Sequence, residues 1–134
     1  MELNMQVIIN ALRSSWGKDT AFDPSEWSED NRARGQCVVS SLVIQDYLGG
    51  ELVRYMIDEG NLHETHYANM LDGGTILDTT ASQYSQPVTM RIKPIDLKGF
   101  ASARKKRLAD DSTRKRYEIL KARVDQLLAE SIRA

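Results

Sequence analysis

The stretch that most constrains the fold runs from Gly35-Gln36-Cys37 through Leu48 to the pair Gly49-Gly50. Apolar residues at 38, 39, 42, 43, 44, 47 and 48 have helical spacing and occupy most of the circumference. A helix that is apolar nearly all round has to be covered on every side, so the spacing predicts a buried helix at the centre of the molecule. Gly49-Gly50 stops it and Gly35 breaks the chain before its first turn. Cys37, the chain's one cysteine, then stands at the helix N-terminus. Unpaired backbone N–H groups and the positive end of the helix dipole favour thiolate over thiol there.

A chain of 134 residues can bury one sizeable core, so a single domain over 1–134 is expected. It divides into an N-terminal helix and long loop (1–34), the Cys helix with a three-stranded antiparallel sheet (35–84), and a connector with basic C-terminal helices (85–134). A lone cysteine excludes an intrachain disulfide and fits a reducing compartment. No apolar run approaches the roughly 20 residues that cross a bilayer, and Met1-Glu2-Leu3-Asn4 lacks a signal-peptide pattern. The expectation is a cytoplasmic protein with no membrane contact. Residues 1–90 carry 5 Lys/Arg against 13 Asp/Glu, while residues 91–134 carry 13 against 6. Basic helices lying on an acidic core account for this asymmetry. Nucleic acid is the less expected partner, because Arg104-Lys105-Lys106-Arg107 and Arg114-Lys115-Arg116 lack interleaved aromatics and match no groove-reading motif.

Leu3, Val7, Ile8, Ala11 and Leu12 share one face of a predicted helix over 3–14. From Trp16 to Arg34 the composition reads as a long loop with a turn after Pro24, anchored by Trp16, Phe22 and Trp27. Glu51 to Asp58 alternates as a strand does, and Gly60-Asn61 breaks it. Two further runs, Thr65–Leu71 and Thr75–Thr80, flank Asp72-Gly73-Gly74, the strongest hairpin signal in the chain. Val88–Ile92 suits an edge strand or an extended connector. A helix is predicted over Phe100–Leu108, and a second begins where Asp111 or Ser112 caps it. Tyr117, Leu120, Val124, Leu127 and Leu128 make a docking stripe for the chain's own sheet or N-terminal helix, with a dimer seam the weaker option. Helices at both ends of a run of strands define an α+β protein, a monomer or weak dimer.

A thiolate that attacks a carbonyl needs a base for the proton and a third group to orient that base. Cys37, His66 and Asp78 supply this set, and only two histidines exist to choose from. Hairpin parity tests the pairing. A two-residue loop at Asp72-Gly73 would place Asp78 opposite Tyr67, on the face away from His66. A three-residue loop, a type I turn with Gly74 left-handed in a bulge, pairs Ala68 with Asp78 and makes His66 its diagonal neighbour. The second glycine favours the longer loop. The face of His66, Ala68, Met70, Ile76, Asp78 and Thr80 would then lie against the Cys37 helix. His63 and His66 stand in HETH, not the HExxH that puts two ligands on one helical face, so no metal is expected and His63 is a loop or rim residue. No Gly-rich phosphate loop follows a strand, and no cofactor is implied.

Trp27, Asn31 and Gly35-Gln36-Cys37, then Val43 to Leu52, His66 to Gly73, and Asp78 to Tyr84 resemble the YunG-like family of small bacterial proteins. Residues 117–124 are similar to that family's C-terminal helix. The resemblance implies a compact papain-like cysteine-peptidase fold, related in layout to transglutaminase-like and NlpC/P60-like domains. It also implies a Cys37-His66-Asp78 triad working through a thioester, with oxyanion-hole candidates Asn31, six residues before the cysteine, and Gln36. Ala68, where an aromatic is more usual, and the insertion-like Asn61–Thr65 depart from the family pattern. The leading expectation is a cysteine hydrolase or acyltransferase acting on an amide, isopeptide or ester bond in a protein, peptide or small acyl substrate. The alternative is an inactive papain-like binding or regulatory module, associated with nucleic acid through its basic third.

Overall fold

A computed structural model describes residues 3–133; Met1, Glu2 and Ala134 lie outside the described residues. The first helix, α1 (Met5–Ser15), is capped by Asn4, whose side chain accepts the Val7 N–H at 3.0 Å. Leu3 therefore precedes the helix and is exposed, against its predicted place on the buried face, while Ile8, Ile9, Ala11 and Leu12 are buried. The long loop that follows is ordered by 3-10 turns at Lys18–Thr20 and Pro24–Glu26. Trp16 anchors it, buried with its indole N–H donating to Ser40 Oγ at 2.8 Å. Trp27 is half-buried and donates to the Arg32 carbonyl. Phe22 is not an anchor: it is 75% exposed.

Helix α2 (Cys37–Leu48) has the predicted bounds. Gly35 has φ +77°, and a Cβ there would stand 2.9 Å from the Phe22 nitrogen, which donates to the Gly35 carbonyl. Only glycine lets the loop close on the residues that enter α2. Val39, Leu42, Val43 and Ile44 are fully buried, as an all-round apolar helix requires.

Strands β1 (Glu51–Glu59) and β2 (Leu62–Met70) form a nine-pair antiparallel hairpin around Gly60-Asn61, and the stretch Asn61–Thr65 is turn and strand. β3 (Ile76–Leu77) pairs with β2, and β4 (Met90–Ile92) is an edge strand on β1. The sheet has four strands in the order β3-β2-β1-β4, one more than predicted.

Helix α3 (Ala103–Leu108) starts later than predicted because Ser102 caps it, accepting the Lys105 N–H. Helix α4 (Asp111–Arg133) is capped by Asp110, not by Asp111 or Ser112; its carboxylate accepts the Thr113 N–H at 2.9 Å and hydroxyl at 2.8 Å. The molecule is thus α+β, with four helices and a four-stranded antiparallel sheet.

The predicted stripe of α4 docks on helices: Leu120, Val124 and Leu128 join Ile8, Leu12, Trp16, Val39, Val43 and Ile44 in one core, with Tyr117 and Leu127 against it. The ion pairs Arg104–Asp46 and Arg123–Asp19 join the basic third to the acidic first half. Among the described residues no helix is long and apolar enough to cross a membrane. Leu120→Ala is expected to lower unfolding stability by about 2–5 kcal/mol, because it opens a cavity in this core. A loss below about 0.5 kcal/mol in urea denaturation, the size of an ordinary surface effect, would mean that α4 is not part of it.

Candidate active site

The hairpin parity resolves as the three-residue loop requires. Asn69 pairs with Leu77 and Met70 with Ile76, and Leu71 N–H donates to the Thr75 carbonyl at 2.8 Å, leaving Asp72-Gly73-Gly74 as the loop. Its turn differs from the expectation. The Gly74 N–H closes onto the Leu71 carbonyl with φ +92° at Gly73, the mark of a type II turn rather than type I, and Gly74 follows at φ +90°. β3 ends at Leu77, so Asp78 lies just beyond it and still points at His66. Asp78 Oδ2 is 2.7 Å from His66 Nε2, while Oδ1 accepts the Thr80 N–H at 3.2 Å. Capping the next turn and orienting the histidine are therefore done by one carboxylate with two oxygens.

The shared face does not lie along α2 throughout. Met70 and Ile76, its outer members, are exposed. Asn69, of the opposite parity, makes the bond to α2, donating to the Ser41 carbonyl at 2.9 Å. The run His66–Asn69 is buried on both faces because the loops and helices cover what α2 does not.

Asp78 is an acceptor, so His66 Nε2 carries a proton and Nδ1 is the nitrogen left for Cys37. The ring is fully buried. Burial opposes its charge, but the neighbouring Asp78 and Cys37 together outweigh burial and raise its pKa from 6.5 to about 9. Cys37 is half-buried and opens onto a cleft of about 530 Å³. The three predicted residues thus come together.

The two predicted side-chain oxyanion donors are engaged elsewhere. Gln36 is fully buried and turned inward, accepting from Thr20 Oγ1 at 2.8 Å and donating to the Gly17 carbonyl at 3.0 Å. Asn31 donates to the Gln83 carbonyl at 2.9 Å. With Gln36 turned away, no side chain caps the first turn of α2. A third amide stands at the ring: Gln83 Nε2 lies 3.3 Å from His66 Nδ1. Its orientation is fixed because Arg34 Nη1 donates to Oε1 at 3.0 Å.

Arg34 is in turn gripped by both oxygens of Glu64, at 2.8 and 2.9 Å, and by Glu26 at 2.9 Å. The Glu64 hydrogen bond is the main cause of an Arg34 pKa above its ordinary value. Burial alone would raise the Glu64 carboxyl, yet bonds from Arg34 and Tyr84 hold it below the usual range. Tyr84 donates to Glu64 at 2.8 Å and stacks edge-on against the His66 ring with centroids 5.5 Å apart. Sequence reasoning did not select Arg34, Glu64, Gln83 or Tyr84, and the 3-10 turn Ala81–Gln83 that presents the last two has no periodicity to read. His63 is on β2 rather than in a loop, exposed and paired with Asp58.

A half-buried cysteine at a helix N-terminus, a buried histidine and a carboxylate on one of that histidine's nitrogens define the class: an α+β protein with Cys, His and Asp grouped behind a cleft that the cysteine lines. Residues 4–129 match the family described as YunG protein, and the chain belongs to that family. It is 32% identical over 84 residues to a Bacillus subtilis (strain 168) protein described as uncharacterized protein YunG. The aligned stretch covers 63% of this chain and 66% of that relative, a little under two thirds of the relative's length. No solved structure matches the chain.

The histidine's charge links to stability with a definite sign. Its folded-state pKa, about 9, lies above the unfolded value near 6.5, so the stabilisation is complete below pH 6.5 and is lost as pH rises through 9. The stability gap between the wild type and His66→Gln should therefore shrink by on the order of 1–3 kcal/mol across that window in urea titrations. A gap independent of pH would show that the ring is not held charged.

Proposed function

We propose that the protein is a cysteine hydrolase or acyltransferase of papain-like layout, acting on an amide, isopeptide or ester carbonyl through a thioester on Cys37. The observation that carries this is the 2.7 Å contact of His66 Nε2 with Asp78, which leaves Nδ1 for the cysteine. A helix presenting the nucleophile against an antiparallel strand presenting the base supports the papain-like layout.

Cys37 Sγ attacks the carbonyl carbon, and the carbonyl π pair moves to oxygen. The Cys37 backbone N–H, in a helix turn that no side chain caps, and the amide of Gln83 are the donors at hand for that oxyanion. Collapse re-forms the carbonyl and expels the leaving amine or alkoxide, which takes the proton from His66 Nδ1. Water, or an acceptor nucleophile, then gives a proton to the same nitrogen and attacks the thioester. Sγ leaves as thiolate, opposite the renewed imidazolium. Asp78 keeps the ring oriented throughout and accepts no proton.

Association with nucleic acid has less support. Arg104 is spent on Asp46 and on the Leu42 carbonyl, and Lys106 on the Asp96 carbonyl.

An activated ester such as p-nitrophenyl acetate should leave one acetyl group on Cys37, seen in the intact mass, and be turned over. His66→Ala should slow acylation roughly 10²- to 10⁴-fold, and Cys37→Ser should abolish it. Iodoacetamide alkylation should persist below pH 7 in the wild type and fall in His66→Ala. A rate that follows an ordinary thiol near pKa 8.5 in both proteins sinks the reading.

A further inference from the structure

The cleft beside Cys37 is completed by three arginines, Arg54 of β1, Arg107 at the end of α3 and Arg116 of α4. Among the described residues none of the three forms an ion pair with a carboxylate, unlike Arg34 in the same cleft. Arg54 is satisfied by the Lys93 and Pro94 carbonyl oxygens. Arg107 and Arg116 are not. Arg116 is 9% exposed, and its bonds are long ones to hydroxyls, 3.4 Å to Ser112 and 3.3 Å to Thr113. Arg107 shares the Thr113 hydroxyl at 3.3 Å, and its Nε is buried with no hydrogen-bond partner. Asp110, the carboxylate that attracts both, is occupied by the backbone and hydroxyl of Thr113. Burial lowers the pKa of Arg116, and the neighbouring Arg107 adds to this against the attraction of Asp110.

A buried Arg116 beside a half-buried Arg107, neither within ion-pair distance of a carboxylate among the described residues, is a costly arrangement, because buried charges are ordinarily paired. Each guanidinium carbon also lies over an aromatic ring, Arg107 at 5.8 Å from the Tyr67 ring centroid and Arg116 at 5.7 Å from that of Phe22, within cation–π range. These contacts hold the guanidiniums in place while the Arg107 Nε has no partner and the other bonds are long, leaving donors of the kind that grip a carboxylate or phosphate. Phe22 is exposed at this cleft, where its ring offers an apolar surface to whatever enters.

We propose that Arg107 and Arg116 form a binding site for a carboxylate or phosphate group of the substrate. Resting on the cysteine-hydrolase reading, this makes the acyl substrate an anionic one. The anionic group neutralises the paired arginines while the carbonyl lies toward Cys37.

The test compares two reagents for the same sulfur. Iodoacetate carries a carboxylate and iodoacetamide does not, so their rate ratio at Cys37 reports the arginines separately from the nucleophile. Arg107→Gln and Arg116→Gln should each lower the iodoacetate-to-iodoacetamide ratio on the order of tenfold, as loss of a charge-assisted hydrogen bond does. Arg107→Lys, which keeps the charge without the fork, should lower it less. In the wild type, inorganic phosphate or succinate should slow alkylation by iodoacetate competitively. Protection by phosphate alone assigns a phosphoryl group, by succinate alone a carboxylate, and by both the shared chemistry. This arm decides the matter where a variant fails to fold. An unchanged ratio in the folded variants, or no protection by either anion where they do not fold, overturns the site. The cysteine reading fails separately, through an iodoacetamide rate indifferent to His66.

Discussion

Covering α2 is the constraint on which the rest of the structure depends. Its residues Val39, Leu42, Val43 and Ile44 have no solvent face, so apolar surface has to arrive from several directions. α1 and α4 supply it with Ile8, Leu12, Leu120, Val124 and Leu128, and β2 approaches from the sheet, where Asn69 fastens to the Ser41 carbonyl. The chain's order then has a chemical consequence. Because α4 must cover α2, the turn from α3 into α4 carries Arg107 and Arg116 to the cleft beside Cys37. A basic segment that is distant in sequence becomes part of the site through hydrophobic packing, while charge attraction supplies the smaller contacts Arg104–Asp46 and Arg123–Asp19.

Within the cleft, charge is handled in two ways. Arg34 is compensated by Glu64 and Glu26, and its remaining hydrogen-bonding capacity fixes the Gln83 amide. Tyr84 ties the same Glu64 to the edge of the His66 ring. This network spends its charge on rigidity, one arginine holding two carboxylates and an amide in place. Arg107 and Arg116 are held instead by aromatic rings and a shared hydroxyl, with no carboxylate among the described residues in direct contact. Arg34 and Arg54 are therefore scaffold, and Arg107 and Arg116 are left for a ligand.

How much was legible follows from the range over which each feature is determined. Helix α2, the placement of Cys37 at its start and the register that carries Asp78 to His66 depend on local periodicity and on one loop length, so they can be read from neighbouring residues. The turn class was not readable to that detail, since Gly73 and Gly74 both permit positive φ and the sequence does not say which conformations they adopt together. Asn31 and Gln36 look like free amides beside a nucleophile. Their true partners lie 52 residues away for Asn31, and 16 and 19 residues away for Gln36, where only tertiary structure brings them. Gln83, Arg107 and Arg116 escaped for the same reason: each is polar, none lies on a periodic face, and their meaning is set by what they fail to pair with.

Gln36 shows how such a committed amide still serves the site. An amide at the N-cap position would ordinarily turn back and satisfy a first-turn N–H. Here Thr20 and Gly17 occupy both ends of the side chain in a fully buried position, so the cap is withheld by the loop that Gly35 closes. Uncapped N–H groups at a helix start are a standing preference for negative charge, and the residue placed there is Cys37. His66, raised to about 9, brings a positive charge to the same sulfur. The loop between α1 and α2 acts on the surroundings of Cys37 by directing a capping residue elsewhere. Loop, helix start and hairpin then meet at Cys37, with the uncapped helix turn on one side of the sulfur and the His66 ring on the other.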